Sequence, residues 1–346
     1  MTIPTVKTDK PAGTGKPTKT GGATGHGLAP QIRGRLQQFM AFGGLIFILI
    51  VFTIASPNFF TFSNLTSLLF STVVIGTLAI GATFVIITAG IDLSLGTGMS
   101  LCAVMTGVFI VNWHLPLVLG VLLAILFGGL IGLVNGLNVA FLKIPPFIAT
   151  LAMMLVAQGL ALVISKSTPI YFDKVPGFSA ISTGNLIPGV NFPNAVIILV
   201  VLAVIAGIVL NKTVLGRYTY SIGSNEEATA LSGINVRKWL VIIYTFAGLF
   251  TGLAGVLISA RLGSAQPALG SGYELQAIAA VVIGGTSLFG GKGTIIGTVI
   301  GALIMSALSN GLQVISVPQE WQNVILGVVI LAAVYTDNIR RREATV

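Results

Sequence analysis

Charge is what this sequence has least of. Only 8% of its 346 residues are Asp, Glu, Lys or Arg, against about a quarter in soluble globular domains. Eighteen basic and nine acidic side chains cannot clothe a water-soluble surface of this length, which excludes an ordinary soluble enzyme. A single cysteine, Cys102, excludes an intrachain disulfide and any cysteine metal cluster. Two histidines, His26 and His114, leave little for zinc chemistry, and no HExxH pattern occurs. What the chain has instead is apolar residues, 54% of the total, and 43 glycines. Its mean hydropathy is +0.98. Small residues let helices approach closely in lipid, so the fold class read here is an all-α polytopic membrane protein.

The net charge of +9 raises the question of nucleic acid. Its distribution answers it. Six of the eighteen basic residues fall in the first 35 positions, and three more are Arg340, Arg341 and Arg342. In a membrane protein, basic ends read as cytoplasmic anchors; lipid is the expected surrounding, and no nucleic acid is. Residues 1–35 are rich in Thr, Gly, Lys and Pro without periodicity. They are expected to be a disordered cytoplasmic tail, not a cleavable signal peptide, because no apolar core follows the first basic residues. Residues 36–338 form the expected transmembrane domain, and 339–346 a basic cytoplasmic tail.

A crossing helix needs about 20 apolar residues. Ten stretches meet or approach that length: 39–56, 66–89, 97–112, 115–141, 147–164, 194–210, 239–260, 274–289, 294–315 and 322–336. The stretches 97–112, 274–289 and 322–336 are short, and one of them is expected to be broken or re-entrant. With the amino terminus inside, fifteen of the eighteen basic residues are cytoplasmic, among them Lys143, Lys212, Arg217, Arg237, Lys238 and Lys292. Only Lys166, Lys174 and Arg261 face the other side. This asymmetry predicts about ten transmembrane helices with both termini cytoplasmic. The longest outer loop, 165–193, carries Pro169, Pro176, Pro188 and Pro193; the longest inner loop is 211–238. The pentapeptides NGLNV at 135–139 and NGLQV at 310–314 sit five spans apart, an offset that would invert one copy relative to the other. Five residues alone read as coincidence.

The inner loop over 216–239, GRYTYSIGSNEEATALSGINVRKW, is the most polar internal segment. Asn225 or Ser224 can cap a short helix. Glu226 and Glu227 then fall in its first turn, where the helix dipole favours negative charge, Ala228 continues it, and Gly233 ends it. The segment reads either as a plain connector or as a docking element for a cytoplasmic partner. GGTSLFGGKGT at 284–294 fails as a phosphate-binding loop: Lys292 is followed by Gly293, and Thr286 stands where the first glycine is required. It reads instead as a tight turn at the membrane surface.

Asp92 is the acidic residue between the second and third spans, and Asp92 or Ser94 can cap the third helix. Glu274, at a span edge, favours a helix N-terminus. So few intramembrane acids argue against a proton-driven pump. Asn135, Asn138, Gln158, Ser306, Ser309, Asn310 and Gln313 are the neutral polar residues on spans. They suit either a polar pathway or interhelical hydrogen bonds of about 0.6–2 kcal/mol each. Asn310 and Gln313, three apart, are expected to share a face. Phe59 and Phe60 read as interfacial anchors.

Several motifs stand in one order along the chain: SPNFFTFSNL at 56–65, GIDLSLG at 90–96, PPFIATLAMM at 145–154, the loop just described, ARLGSAQPALGSGYEL at 260–275, and YELQAIAAVVIGGTSLFGGKGTIIGTVIGALI at 273–304. Together they resemble the ribose-type sugar permeases, the membrane subunits of bacterial ATP-binding-cassette importers, from about residue 39 to residue 337. The resemblance implies the importer-permease fold and an inner-membrane location. It implies a second permease copy, a cytoplasmic tandem-cassette ATPase and a periplasmic sugar-binding protein as partners. It implies no cofactor on this chain, with ATP and Mg on the partner ATPase. The helix from Asn225 to Gly233 would be the ATPase-coupling element, with Gly216 and Arg217 leading into it. The pathway candidates are Asp92, Ser94, Asn135, Asn138, Asn310 and Gln313. Lys166, Asp173, Lys174, Arg261 and Gln266 would meet the binding protein. The rival reading is an ion-coupled secondary transporter or channel for a small polar solute, which would need no ATPase.

Overall fold

The computed structural model describes residues 30–186 and 192–345. The expected tail over 1–29 and Pro188 lie outside the described residues. Residues 30–35, expected within that tail, form the first turns of α1 (Pro30–Ala55), which opens on a proline pre-set for the first helical position. After α1 come α2 (Phe62–Ile87), α3 (Leu95–Gly107) with a π-helical turn (Val108–Asn112), α4 (Leu117–Ala140), and α5 (Pro146–Ser165). A short strand β1 (Ile170–Tyr171) and α6 (Ala180–Thr183) follow. Next stand α7 (Asn194–Lys212), α8 (Val214–Ser224), α9 (Glu226–Leu231), α10 (Val236–Leu262), β2 (Ser264–Ala265), α11 (Tyr273–Ile283), α12 (Ile295–Val314) and α13 (Gln319–Thr345). The strands pair antiparallel, Ile170 with Ala265 and Tyr171 with Ser264. The helix α13 runs through the expected C-terminal tail.

Local chemistry sets the helix starts. Thr61, Asn235 and Thr294 cap α2, α10 and α12 by accepting from the N–H groups of Asn64, Lys238 and Gly297. Pro145 precedes α5, with Pro146 as its first residue. Among the described residues, seven helices are long and apolar enough to cross a membrane: α2, α3 with its π-turn, α4, α5, α7, α10 and α12. Shorter apolar helices cover 41–55, Tyr273–Ile283 and 319–335. The span expected over 274–289 is thus helical only to Ile283. At 1.5 Å per residue α11 covers about 17 Å, well short of the roughly 30 Å hydrocarbon layer. Hydropathy runs on because the glycine-rich turn after it is itself uncharged until Lys292.

The helices are arranged as an inverted repeat. Contacts pair Gly81 with Ala247 and Gly90 with Tyr244, so α2 and α10 run antiparallel. Thr83 bonds Thr298 at 2.7 Å while Asn64 bonds Asn310, so α2 and α12 are antiparallel as well. The pair α4 and α10, touching at Gly128 and Gly248 and at Gly136 and Val241, is antiparallel too. The series α2–α3–α4 therefore matches α10–α11–α12 with opposite sense. NGLNV and NGLQV stand at the ends of α4 and α12, the helices this relation pairs.

In each repeat the chain turns back before its second helix begins. Gly98 packs on Thr251, which places Leu95 roughly 18 Å along an α10 that is about 40 Å long. Gly96 meets Gly270 and Glu274, so α11 starts at the same depth. Two half-helices thus begin side by side near the middle of the bundle and run to opposite ends. The mostly buried α2 and α3 form the centre, while α4, α5 and α7 turn apolar sides outward, as lipid-facing helices do.

Backbone contact at glycine holds the crossing of α4 and α10. A Cβ on Gly132 would run into the Tyr244 carbonyl, and one on Gly248 into the Gly128 carbonyl. Gly207 of α7 has nothing within 4 Å of such a Cβ. Gly132→Val is expected to destabilise the protein by about 3 kcal/mol, because overpacking here displaces main chain. Gly207→Ala is expected to be neutral or to stabilise by up to about 1 kcal/mol. Melting temperatures of the purified variants in detergent check both.

Candidate functional site

At the end of the bundle where α2 finishes, α8 lies across the other elements. Close approach is made possible by Gly216, whose Cβ would strike the Leu210 carbonyl, and Gly223, whose Cβ would strike the Ile87 carbonyl. Gly216 is thus a packing residue, while Arg217 beside it is exposed. Tyr220 donates its hydroxyl to the Gly293 carbonyl at 2.7 Å. Burial pushes the Tyr220 phenol above its ordinary pKa, so it stays protonated and keeps donating.

The turn over 284–294 closes through the Ser287 N–H on the Lys292 carbonyl at 3.1 Å, and its Gly291 N–H donates to the Ile87 carbonyl at 2.8 Å. Gly290 and Gly291 have φ of +85° and +73°, consecutive left-handed positions that only glycine adopts without strain. Asp337 of α13 accepts from the Ser287 hydroxyl and the Leu288 N–H, both at 3.3 Å. What the sequence reads as a surface turn is a junction joining α2, α8, α11, α12 and α13.

From this junction α9 projects. Asn225 is extended, and its Oδ1 accepts from the Ala228 N–H at 2.9 Å. Glu226, Glu227 and Ala228 are exposed. Gly233, with φ of +84°, stops the helix. Only Thr229 of α9 is buried, and Leu231 at its tip is 84% exposed. The sequence reading found α9 but missed α8. Its signal is the spacing of Gly216, Thr219, Tyr220 and Gly223, three and four apart, a helix face built of small residues rather than apolar ones.

Inside the bundle a second polar group surrounds the start of α3. Asp92 is buried, and its Oδ1 accepts from the Ser94 N–H at 2.8 Å and the Ser94 hydroxyl at 2.6 Å. Asn135 donates from Nδ2 to Ser94 Oγ at 2.9 Å, leaving its Oδ1 without a partner. Ser94 holds the N-cap position but makes no side-chain cap bond. Asp92 therefore secures the turn leading into α3 rather than the helix's own N–H groups. Asn138 is half-buried, one turn further along α4.

Where the half-helices meet, Thr97 Oγ1, Ser100 Oγ and Glu274 Oε2 are buried without partners. Glu274 Oε1 accepts from the Gly272 N–H at 3.0 Å, and its other oxygen lies against Gly96. Unpaired buried polar atoms are costly, so three at one crossing call for a functional explanation.

Asn310 and Gln313 are not brought together. Asn310 exchanges two bonds with Asn64 at 2.8 and 2.9 Å, while Gln313 is exposed. The reciprocal amide pair clasps α2 to α12 and satisfies both side chains. It joins residues 246 positions apart, a distance no local spacing reveals. Phe59 departs from its expected role as well: it is fully buried against Phe52, and only Phe60 is exposed. Among the described residues, no three His, Cys, Asp or Glu side chains group so as to hold a metal ion.

Comparison with known proteins places this architecture. Residues 64–334 match the family described as branched-chain amino acid transport system / permease component. The ribose import permease protein RbsC of Escherichia coli (strain K12) is 44% identical over 297 residues, covering 85% of this chain and 91% of that protein. The protein of the same name from Bacillus subtilis (strain 168) is 43% identical over 312 residues, 90% of this chain and 95% of that one. The D-allose transport system permease protein AlsC of Escherichia coli (strain K12) is 36% identical over 299 residues, covering 85% and 90%. No solved structure matches. With a match across most of its length and relatives this similar, the chain belongs to this family of multi-pass membrane permease components.

Proposed function

We propose that this chain is the membrane-spanning subunit of an ATP-binding-cassette importer that carries a monosaccharide, ribose or a close relative, across the inner membrane. The observation that carries this reading is the likeness, over at least 85% of the chain, to import permeases named for ribose and allose. The chain contributes no ATP site. A separate tandem-cassette ATPase drives it from the cytoplasm, a periplasmic binding protein delivers the sugar, and a second permease copy completes the pore.

Both termini lie in the cytoplasm in this reading, with α9 and the 284–294 turn on the same side. Fifteen of eighteen basic residues support that orientation. The β1–β2 pairing then gathers Lys166, Asp173, Lys174, Arg261 and Gln266 at the periplasmic end, where the binding protein docks. Arg261 is steadied there over the Phe70 ring, 5.0 Å from its centroid.

In this scheme α9 is the coupling helix, and exposed Leu231 is its apolar contact with the ATPase. Force passes to α8 and then to the two chain segments α8 touches, the end of α2 and the 284–294 turn. The first leads into α3, and the second leads out of α11. ATPase closure and binding-protein docking bias the crossing of α3 and α11 only in so far as each partner binds its open and closed forms differently. When the crossing opens, Thr97, Ser100 and Glu274 acquire water or sugar hydroxyls as partners. Asp92, Ser94 and Asn135 hold the turn that positions α3 and border the same route.

Replacing Glu226, or inserting two residues after Gly233, is expected to abolish sugar-stimulated ATP hydrolysis in the assembled complex while membrane insertion is retained. Stimulation equal to that of the wild type would refute the coupling role. With Cys102 replaced by Ala, Leu231→Cys is expected to react with a membrane-impermeant maleimide in inside-out vesicles and to resist it in right-side-out ones. Labelling in the opposite pattern would invert the topology.

A further inference from the structure

A cleft of about 870 Å³ opens beside α9, between the α2–α3 connection, the α4–α5 turn and the first turns of α10. Two independent features make it electropositive. Two long helices, α5 at Pro145–Pro146 and α10 at Asn235–Arg237, begin on its wall, and helix N-termini favour anions. Lys143 and Arg237 stand exposed on it from different elements. Glu226 is the one carboxylate bordering it.

A third feature points to a ligand. Tyr244 lines the cleft with no exposed surface, and its hydroxyl has no partner. That hydroxyl lies against Gly90, itself part of the wall, where a Cβ would come within 2.6 Å of it. A buried donor facing an electropositive, partly apolar cleft suits a ligand with a compact anionic head and a hydroxyl-bearing body.

We propose that this cleft binds a phosphate monoester, with Lys143 and Arg237 on the phosphate and Tyr244 donating to the ligand's body. A bound ligand would touch α9 and residues 89–90 together, tying the projecting helix to the turn that leads into α3. If α9 is the coupling helix, occupancy sets how far it moves relative to α3; this last consequence rests on the importer reading.

The test uses the isolated full chain in lipid nanodiscs, with neither ATPase nor transported sugar present, so its outcome is independent of that reading. Titration calorimetry with a pentose 5-phosphate and with inorganic phosphate is expected to show saturable binding in phosphatidylcholine discs. Lys143→Gln and Arg237→Gln are each expected to weaken it about tenfold, the scale of a charge-assisted hydrogen bond. Tyr244→Phe, which keeps the packing, is expected to weaken the ester about threefold and to leave inorganic phosphate unchanged. Glu226→Gln is expected to tighten both. Loss of binding in phosphatidylglycerol discs would identify a lipid headgroup as the competing source of the same phosphate chemistry. Absence of binding in phosphatidylcholine, or binding equal in all variants, would overturn the proposal.

Discussion

The rest of the molecule depends on the approach of main chain to main chain at Gly96 and Gly270. It sets two helix beginnings side by side inside an apolar layer, where water cannot supply partners for their leading N–H groups. The sequence has two acids within this apolar region, Asp92 and Glu274. Each gives one oxygen to those beginnings, Asp92 accepting from the Ser94 N–H and Glu274 from the Gly272 N–H, while Glu274 Oε2 stays unpaired. Symmetry and electrostatics agree here: the inverted repeat supplies two interior helix starts, and each has its own carboxylate.

The connection between surface and interior is short for the same reason. In the first repeat the chain leading into the half-helix passes close under α8, and in the second the chain leaving it does. The Ile87 carbonyl, which receives the Gly291 N–H, lies where the first repeat's connection begins. The Tyr220 hydroxyl bonds the second repeat's turn at Gly293. A single amphipathic helix of eleven residues thus touches both. Such a contiguous chain of contacts is one physical form that coupling takes.

Much of this was legible in the sequence. Apolar runs located the helices, and Asn225, Glu226 and Gly233 located α9, because capping depends on residues within four positions. Asp92 and Glu274 were read as serving helix starts, which they do, although Asp92 acts one step before α3 itself. Other features lay beyond local reasoning. Hydropathy marked 97–112 and 274–289 as short and raised a broken or re-entrant span among three candidates, but it cannot tell a helix that crosses from one that begins halfway, so it did not place the interior start of α3. The short length of α11 was masked by uncharged glycines. Asn310 and Gln313 were grouped by helical spacing, but burial divided them, since the clasp with Asn64 is a tertiary contact. Phe59 was read as an interfacial anchor from its place in the sequence, while Phe52, near the end of α1, packs on its ring and buries it. The repeat left a trace in five residues, too few to be weighed without the helices around them.

The half-helices are unequal. From Leu95 to Asn112 the first has eighteen residues, and the second has eleven. From their meeting place they extend about 27 Å one way and about 17 Å the other. They form a lever with its fulcrum off centre. A small tilt about Gly96 and Gly270 sweeps the tip of the longer arm roughly 1.6 times as far as that of the shorter, by the same per-residue rise. Tilting as one body, the two arms would carry a small displacement at the α11 tip, enlarged, to the opposite end, where β1 and β2 lie.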